Sequence, residues 1–293
     1  MYRHLNKSFL LILLMLTITA VSVDADALKP FILASSDSGT IAGKVEAVKE
    51  SLVREGFQIV GEYAPYNGAH VIALTSDKLK ADAARSELGA YGAVQRVSLT
   101  ESNGEVQISY MNPFYFAEAY RMDSDPAETA SKLEKALGKS VDFGSKKGLS
   151  SKKLRKYHYM AMMPYFDDQV KLASFGSHKE AVSTIEKNLA AQTAGNVKVF
   201  KIDLPGKDET IFGVGIGEGK GADEKVMKVI DFAELKQTAH LPYDLVVSDG
   251  VAYMLHGKFR IALNFPDLKM MTFMKISLAP GGIENSLKKL TDK

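Results

Sequence analysis

The fold of this chain is decided by the stretch RVSLTESNGEVQISYMNP, residues 96–113. Its centre, Asn103-Gly104, is the strongest β-hairpin signal in the sequence. Apolar and polar residues alternate on both sides of this turn, which predicts two antiparallel strands. On this alternation Val97, Leu99, Val106 and Ile108 should face covering helices. The polar residues between them should then lie on the opposite, open face of the sheet.

The hairpin stretch has a second, similar copy later in the chain. Superposing Asn103-Gly104 on His256-Gly257 places Val106 on Phe259, and Pro113 on Pro266, without a gap. A repeat of roughly 130 residues is too long for a solenoid unit and indicates two tandem domains of one fold.

Each copy is predicted to run strand, helix, two strands, inserted helix, two strands and closing helices. The second copy should open with a strand at 159–164, and its inserted helix should span 223–237. Short turns make adjacent strands antiparallel, so each copy should be a two-layer α+β domain. Each is expected to be a curved antiparallel sheet with helices on one face. The predicted boundaries are a signal peptide at 1–27, a first copy at 28–138, a basic linker at 139–156 and a second copy at 157–293.

The N-terminal residues have the pattern of a secretory signal peptide. Basic residues precede an apolar run from Phe9 to Val23, and Ala25-Asp26-Ala27 has the small residues of a cleavage site. The alternative is an uncleaved anchor, but the run is shorter than the roughly 20 residues that span a bilayer. We therefore expect a periplasmic or secreted protein that begins at Leu28 and is not an integral membrane protein once cleaved.

The composition excludes several classes of function. The sequence has no cysteine, so disulfides, thiol catalysis and Cys-ligated zinc are excluded. Its 293 residues carry a formal net charge of +2, which predicts neither a nucleic-acid partner nor a strongly acidic one.

Residues 139–156 are rich in lysine, serine and glycine, with Asp142 as the one acidic residue. Such a segment is typical of a solvated linker. The alternative interpretation is an electrostatic contact with anionic lipid headgroups or an acidic partner, made by Lys146, Lys147, Lys152 and Lys153.

Several short segments resemble the domain of unknown function 302 family of bacterial proteins. They are residues 89–93, 96–99 and 106–115 in the first copy and, more faintly, 241–245 and 264–266 in the second. The resemblance implies a fold similar to that of the TATA-binding protein, a curved antiparallel sheet with helices on one side. It implies no activity, and the fold by itself does not indicate DNA binding.

The sequence contains no established catalytic motif. Residues 213–221 are rich in glycine, but Lys220 is followed by glycine instead of Ser or Thr, so the spacing does not fit a P-loop. No nucleophile and base can be paired, and therefore a non-enzymatic protein without a cofactor is the expectation.

A methionine-rich segment suggests a metal as a further alternative. On a strand, His158, Met160 and Met162 would point to one face, and their imidazole and thioether groups suit Cu(I). Methionine is also a common core residue, and this segment aligns with the apolar Phe31-Ile32-Leu33.

The comparison of the copies gives the main functional hypothesis. In the ungapped register Tyr110, Tyr115 and Arg121 stand where the second copy has Leu263, Leu268 and Met274. An arginine among hydroxyls and amides can hold an anion by paired hydrogen bonds, and tyrosines can supply stacking walls. The predicted ligand-binding residues are Tyr91, Arg96, Gln107, Ser109, Tyr115 and Arg121.

Three interpretations of this open sheet face stay possible. It binds a small anionic or aromatic molecule, it is solvated, or it is buried against the other copy or another chain. The first makes the protein an exported binding module. The last makes it an interaction or assembly protein, with a homo-oligomer as one form of assembly.

Overall fold

The computed structural model describes residues 27–293. Residues 1–26 of the predicted leader lie outside the described residues. The first half contains the strands β1 (Phe31–Asp37), β2 (Gln58–Tyr63), β3 (Ala69–Thr75), β4 (Gln95–Ser102), β5 (Glu105–Met111) and β6 (Val141–Phe143). Its helices are α1 (Ile41–Arg54), α2 (Asp77–Arg85), α3 (Pro113–Ala119), α4 (Ala127–Leu137) and α5 (Ser151–Leu154).

The second half contains the strands β7 (Val170–Ser174), β8 (Asn196–Asp203), β9 (Glu209–Ile216), β10 (Tyr243–Ser248) and β11 (Val251–Met254). Its helices are α6 (His178–Ala190), α7 (Asp223–Ile230), α8 (Gly257–Asn264), α9 (Met270–Lys275) and α10 (Ala279–Lys289). Short 3₁₀ turns at Gly89–Gly92 and Thr238–His240 precede β4 and β10.

Both sheets are antiparallel, and the protein is an α+β protein as predicted. The first sheet has the order β2-β3-β4-β5-β1-β6, and the second, read from β8, has the order β8-β9-β10-β11-β7. The two orders agree strand for strand except for the extra edge strand β6. Among the described residues, no helix has the length and apolar character needed to cross a membrane.

The hairpin that anchors the first sheet is confirmed. Asn103 and Gly104 have φ values of 53° and 83°, and Ser102 pairs with Glu105 across the turn. Positive φ at both positions matches the twist of the flanking strands, which is why this dipeptide favours the turn.

The second hairpin lies seven residues earlier than the sequence comparison predicted, at Asp249-Gly250 instead of His256-Gly257. Asp249 and Gly250 have φ values of 47° and 80° and join β10 to β11. His256 instead begins α8, where its Nδ1 accepts a hydrogen bond from the Lys258 backbone at 3.1 Å. The apolar residues after it are nearly all buried, so their pattern does not distinguish a helix from a strand.

Two further predictions for the second half are wrong. Residues 159–164 form a turn, in which Met162 adopts a φ of 67° and is fully exposed. The first strand of the second half is β7 instead. The predicted helix at 223–237 ends at Ile230, where the Asp231 carboxylate accepts hydrogen bonds from the Gln237 backbone and stabilises a loop instead.

The basic segment 139–156 is not a free linker. Its residues 141–143 form β6, which pairs with β1, and Leu149 forms a bridge with Leu28. Leu154 is buried in the core. The segment therefore closes the edge of the first sheet before the chain enters the second half.

The two sheets pack face to face. One apolar cluster joins the first sheet to α1 and α4, and another joins the second sheet to α6, α7 and α10. A third cluster lies between the sheets and combines residues from both halves, including Ala73, Phe200 and Val246. The sheet face that the helices leave uncovered in one half therefore packs against the corresponding face of the other half. Burial against the other copy was one of the alternatives that the sequence left open.

The edge strands β2 and β8 meet at a glycine. Both strands carry an irregularity at this contact, between Ile59 and Gly61 and between Lys198 and Phe200. A Cβ atom built on Gly61 would lie 1.7 Å from the Val199 carbonyl oxygen. Glycine thus permits a close backbone approach between the halves.

Candidate functional site

The centre of the interface between the sheets is a buried cluster of two arginines and one carboxylate. Arg96 on β4 forms an ion pair with Asp244 on β10, and Arg260 on α8 approaches the same carboxylate at 3.5 Å. Arg260 also donates hydrogen bonds to the His240 and Pro242 carbonyl oxygens, at 2.6 and 3.2 Å. We call Arg96, Asp244 and Arg260 the arginine centre. All three residues are buried.

The arginine centre has more positive than negative charge. Two guanidinium groups share one carboxylate, and His240 beside them stays neutral, because burial and the nearby arginines hold its pKa well below the usual range. Within residues 27–293, Nε of Arg96 and both Nε and Nη1 of Arg260 have no hydrogen-bond partner. An uncompensated buried charge costs several kcal/mol, so such a centre favours water or an anionic group beside it.

Arg96 occupies the predicted face of its strand, but this face is not open. Arg96, Ser98, Gln107 and Ser109 all point away from α1 and α4, and all are buried against the second half. Gln107 accepts from the Lys236 backbone and donates to the Glu234 carbonyl oxygen, both at 3.0 Å. Its amide therefore attaches the loop after α7 to the first sheet.

The other predicted site residues also contact the second half. Tyr91 donates to Gln169 at 3.1 Å, and Tyr115 donates to the Leu263 carbonyl oxygen at 2.8 Å. Arg121 forms two hydrogen bonds with the Asp167 carboxylate, at 2.9 and 3.0 Å, on the partly exposed surface. The predicted site residues therefore do not line one pocket together. The ungapped comparison that selected Tyr115 and Arg121 also used the incorrect register at His256-Gly257.

A small cavity lies in the first half, and Met111 of its lining contacts Arg96 of the arginine centre. Its volume is about 20 Å³, close to the space that one water molecule requires. Two polar atoms of its lining, Oε1 of Gln95 and the hydroxyl of Tyr120, have no partner in the described part of the chain. Its lining also contains the Asp82 carboxylate, which pairs with Lys78 and Arg85, and is otherwise largely aromatic and apolar.

The cavity continues toward the surface. An open groove of about 350 Å³, lined by Phe114, Glu118 and Arg155, shares Ala117 and Met122 with the cavity lining. We call the cavity and the groove together the aromatic cleft.

Two contacts join the aromatic cleft to the arginine centre. Nη1 of Arg96 donates to the sulfur of Met111 at 3.2 Å, and Met111 lines the cavity. Burial raises the pKa of the Tyr120 hydroxyl, while the positive charges of Arg260 and Arg96 oppose that rise. Tyr120 lines the cavity, and its ring stacks on Phe166 of the second half at 5.6 Å.

Sequence reasoning missed Asp244, Arg260, Gln95 and Tyr120. Asp244 stands in the segment 241–245 that carries the faint family resemblance, which was the one available signal. Arg260 lies in a segment interpreted as a strand, and no local pattern marks Gln95 or Tyr120.

The methionine segment does not have the arrangement that suggested Cu(I). His158 donates through Nδ1 to the Met160 carbonyl oxygen at 2.8 Å, and its ring lies 4.5 Å from that of Tyr165. The segment is a turn, so His158, Met160 and Met162 do not share the face of a strand. Among the described residues, no three His, Asp or Glu side chains gather to hold a metal ion.

Comparisons with known proteins give little beyond this description. No family model matches the chain, and no curated protein gives a significant match. Among solved structures, one match is the crystal structure of an uncharacterised conserved protein, DUF302, from Bacillus stearothermophilus. The identity is 16%, the match covers 36% of this chain and 94% of that chain, and the TM-score is 0.32. A likeness at this TM-score carries no argument about function. Over that part of its length, the chain is thus similar to a protein of the family that its hairpin segments resemble.

Proposed function

We propose that this chain is an exported, non-enzymatic binding module for a small molecule with an anionic group and an apolar or aromatic body. The site is the aromatic cleft, with the arginine centre at its inner end. The observation that carries the proposal is the excess positive charge of that centre, where guanidinium nitrogens of Arg96 and Arg260 have no partner among the described residues.

The class of ligand follows from the two ends of the cleft. Tyr91, Phe116 and Tyr120 offer aromatic surface, on which a flat apolar group packs well. Behind the inner end, the Arg96 guanidinium contacts Met111 of the cavity lining, and guanidinium donors bind carboxylates and phosphates through charge-assisted hydrogen bonds. Oε1 of Gln95 and the Tyr120 hydroxyl add two partners that are unsatisfied without a ligand or a water molecule.

Entry of a ligand requires a local change at the neck of the cleft. The inner cavity has room for about one water molecule, so a larger ligand must displace side chains. Met122 lines both the cavity and the groove, and methionine is unbranched and adapts its shape readily. We infer that Met122 moves when the cleft fills.

Native mass spectrometry of the chain, purified gently from its exporting cell, tests the proposal first. We expect extra mass on the monomer, of the size of a small organic anion. Titration calorimetry with benzoate, compared with the neutral benzyl alcohol, then tests the ligand class. We expect benzoate to bind at least tenfold more tightly, because the arginine centre recognises charge.

A variant that closes the neck separates the cleft from other surfaces. Ala117 lines both the cavity and the groove, so A117F should abolish benzoate binding while the protein stays folded. A190F, at an exposed position of α6, is the matched control and should bind as the native chain does. A native chain with neither bound mass nor benzoate binding, or an A117F chain that binds normally, would contradict the proposal.

The alternative functions have less support. Assembly through open sheet faces would require the halves to separate, because these faces fill each other within one chain. Cu(I) binding would require the turn at 158–162 to rearrange so that its imidazole and thioether groups converge.

A further inference from the structure

A second surface of the molecule combines exposed apolar side chains with unpaired lysines. On α9, Met271 and Met274 are 83% and 62% exposed, and no residue of this helix is buried. Met162, at the tip of the turn 159–164, is fully exposed. Soluble proteins rarely expose large apolar residues in a group, and such groups mark contact surfaces.

Hydrogen bonds hold the basic segment 145–159 against residues 262–268, which precede α9. The Lys146 backbone donates to the Asp267 carboxylate at 2.6 Å, and the Tyr159 hydroxyl donates to the Leu268 carbonyl oxygen at 2.5 Å. Between these points the Tyr157 hydroxyl donates to the Ala262 carbonyl oxygen. These bonds bring the two ends of the segment, Lys146 and Tyr159, to the residues that lead into α9. Lys269 and Lys275 flank the exposed methionines in sequence, and Lys152 and Lys153 lie on α5 between the two ends of the segment.

The lysines of this surface are free to meet an anionic partner. In the part of the chain that the structure describes, none of them pairs with a carboxylate, whereas the neighbouring Lys139 pairs with Asp142. They are exposed and comprise Lys146, Lys147, Lys152, Lys153, Lys156, Lys269 and Lys275. We call these lysines, together with Met162, Met271 and Met274, the Met–Lys surface.

We propose that the Met–Lys surface docks on an anionic lipid bilayer. Protruding apolar side chains surrounded by lysines suit the headgroup boundary, where lysine meets phosphate and methionine reaches the acyl chains. A protein partner would instead favour a pocket that receives an anchor residue. The methionines here project from a loop tip and from a helix without buried residues.

Vesicle co-sedimentation of the full chain tests this proposal. We expect binding to vesicles of phosphatidylcholine with one quarter phosphatidylglycerol, and at least tenfold weaker binding to phosphatidylcholine alone. The binding should weaken as salt is raised from about 50 to about 500 mM, because salt screens the attraction between exposed charges. The Debye length, over which charges act, shortens with salt and is roughly 3 Å at 1 M.

Two sets of substitutions separate charge from apolar contact. Reversing Lys146, Lys147, Lys152 and Lys153 to glutamate should weaken binding at least tenfold, and M271S with M274S should weaken it severalfold. The matched control reverses four lysines that are exposed elsewhere in the second half, namely Lys171, Lys179, Lys187 and Lys289. Residues 1–26 are the same in every variant, so differences report on the Met–Lys surface.

Three results would overturn the proposal. They are no binding to anionic vesicles, equal binding to neutral ones, and equal losses in the control and in the lysine variant. Sedimentation velocity without lipid adds a further outcome. A dimer that M271S with M274S dissolves would show that a second copy covers this surface, and that too would overturn lipid docking.

Discussion

At the scale of single residues, Asp244 is the critical group of the interface. It is the carboxylate that Arg96 and Arg260 share, and all three side chains come from different elements. Removing one member of a buried ion cluster leaves the remaining charges without compensation, which costs far more than the loss of a surface pair.

We therefore expect D244N to lower the free energy of unfolding by about 3 kcal/mol or more. Urea denaturation followed by circular dichroism measures this value. The control E128Q removes the exposed pair of Glu128 with Lys132 on α4 and should leave the stability nearly unchanged. A D244N protein as stable as the control would mean that the arginine centre is not compensated by Asp244.

Asp223 is a second buried carboxylate at the interface. It accepts hydrogen bonds from the Tyr63 hydroxyl and from the Ile216 backbone, both at 3.1 Å. Burial raises its pKa to about 8, although both hydrogen bonds act in the opposite direction. The folded protein thus keeps a proton on Asp223 at a pH where the unfolded chain has lost it.

The pH dependence of stability follows from this difference. Between about pH 4 and about pH 8 the folded state binds the extra proton, so the free energy of unfolding should fall as pH rises. D223N should remove up to about 1.4 kcal/mol per pH unit from that slope, and the raised pKa of Asp231 should account for part of the rest. Urea denaturation at pH 5, 6 and 7 tests this, with D208N at an exposed position as the control. An unchanged slope in D223N would show that Asp223 is ionised in the folded protein.

Residue roles were the least predictable part of this molecule. Alternation around Asn103-Gly104 correctly placed Arg96 on the face away from the helices. It could not show that the second half covers this face, because the partner groups Asp244 and Arg260 lie more than 140 residues away, at separations of 148 and 164. Local pattern contains no information on contacts at such separations.

At the scale of elements, the contact between β2 and β8 determines how closely the halves approach. The Val199 carbonyl oxygen occupies the space where Gly61 would carry a Cβ atom. Any side chain at this position must push the two edge strands apart, and the sheets behind them would lose their packing.

G61A should therefore lower the free energy of unfolding by about 2 kcal/mol or more. G281A on α10 is the control, since a Cβ atom there meets nothing within 4 Å. Alanine in place of a helical glycine should be neutral or should raise stability by about 0.5–1 kcal/mol. Thermal and urea unfolding compare the two variants. Equal stability of G61A and G281A would show that the strands do not approach as described.

Most elements were predictable where the local signal was strong, and two of the errors share a cause. Helices such as α1 and α6 carry both a side-chain N-cap and a buried apolar stripe, which are signals that the local sequence contains. The errors lie at His256-Gly257, at 159–164, at the end of the helix predicted over 223–237, and in the linker predicted over 139–156. At the first two positions a helix is buried on nearly all sides and exposed methionines lie in a turn, so apolar residues there do not mark the inner face of a strand.

At the scale of the whole molecule, the two halves form one packed unit. The cluster between the sheets includes residues of both, and Arg96, Gln107, Tyr91 and Tyr115 all bond across it. The antiparallel pairing of consecutive strands joined by short turns could be predicted from the order of elements. The face-to-face packing could not, since solvation, ligand binding and burial all suit a polar sheet face equally well.

The most direct test of this packing is a disulfide across the interface. The hydroxyls of Thr100 on β4 and Thr238 before β10 lie 2.8 Å apart, and both residues are buried. The native chain has no cysteine, so T100C with T238C provides a single cysteine pair. We expect this pair to oxidise almost completely in the folded protein, with a mass loss of about 2 Da and higher resistance to urea. T100C with T272C, which places the second cysteine on α9, should stay reduced. If T100C with T238C also stays reduced, the sheets do not pack face to face, and the arginine centre does not exist.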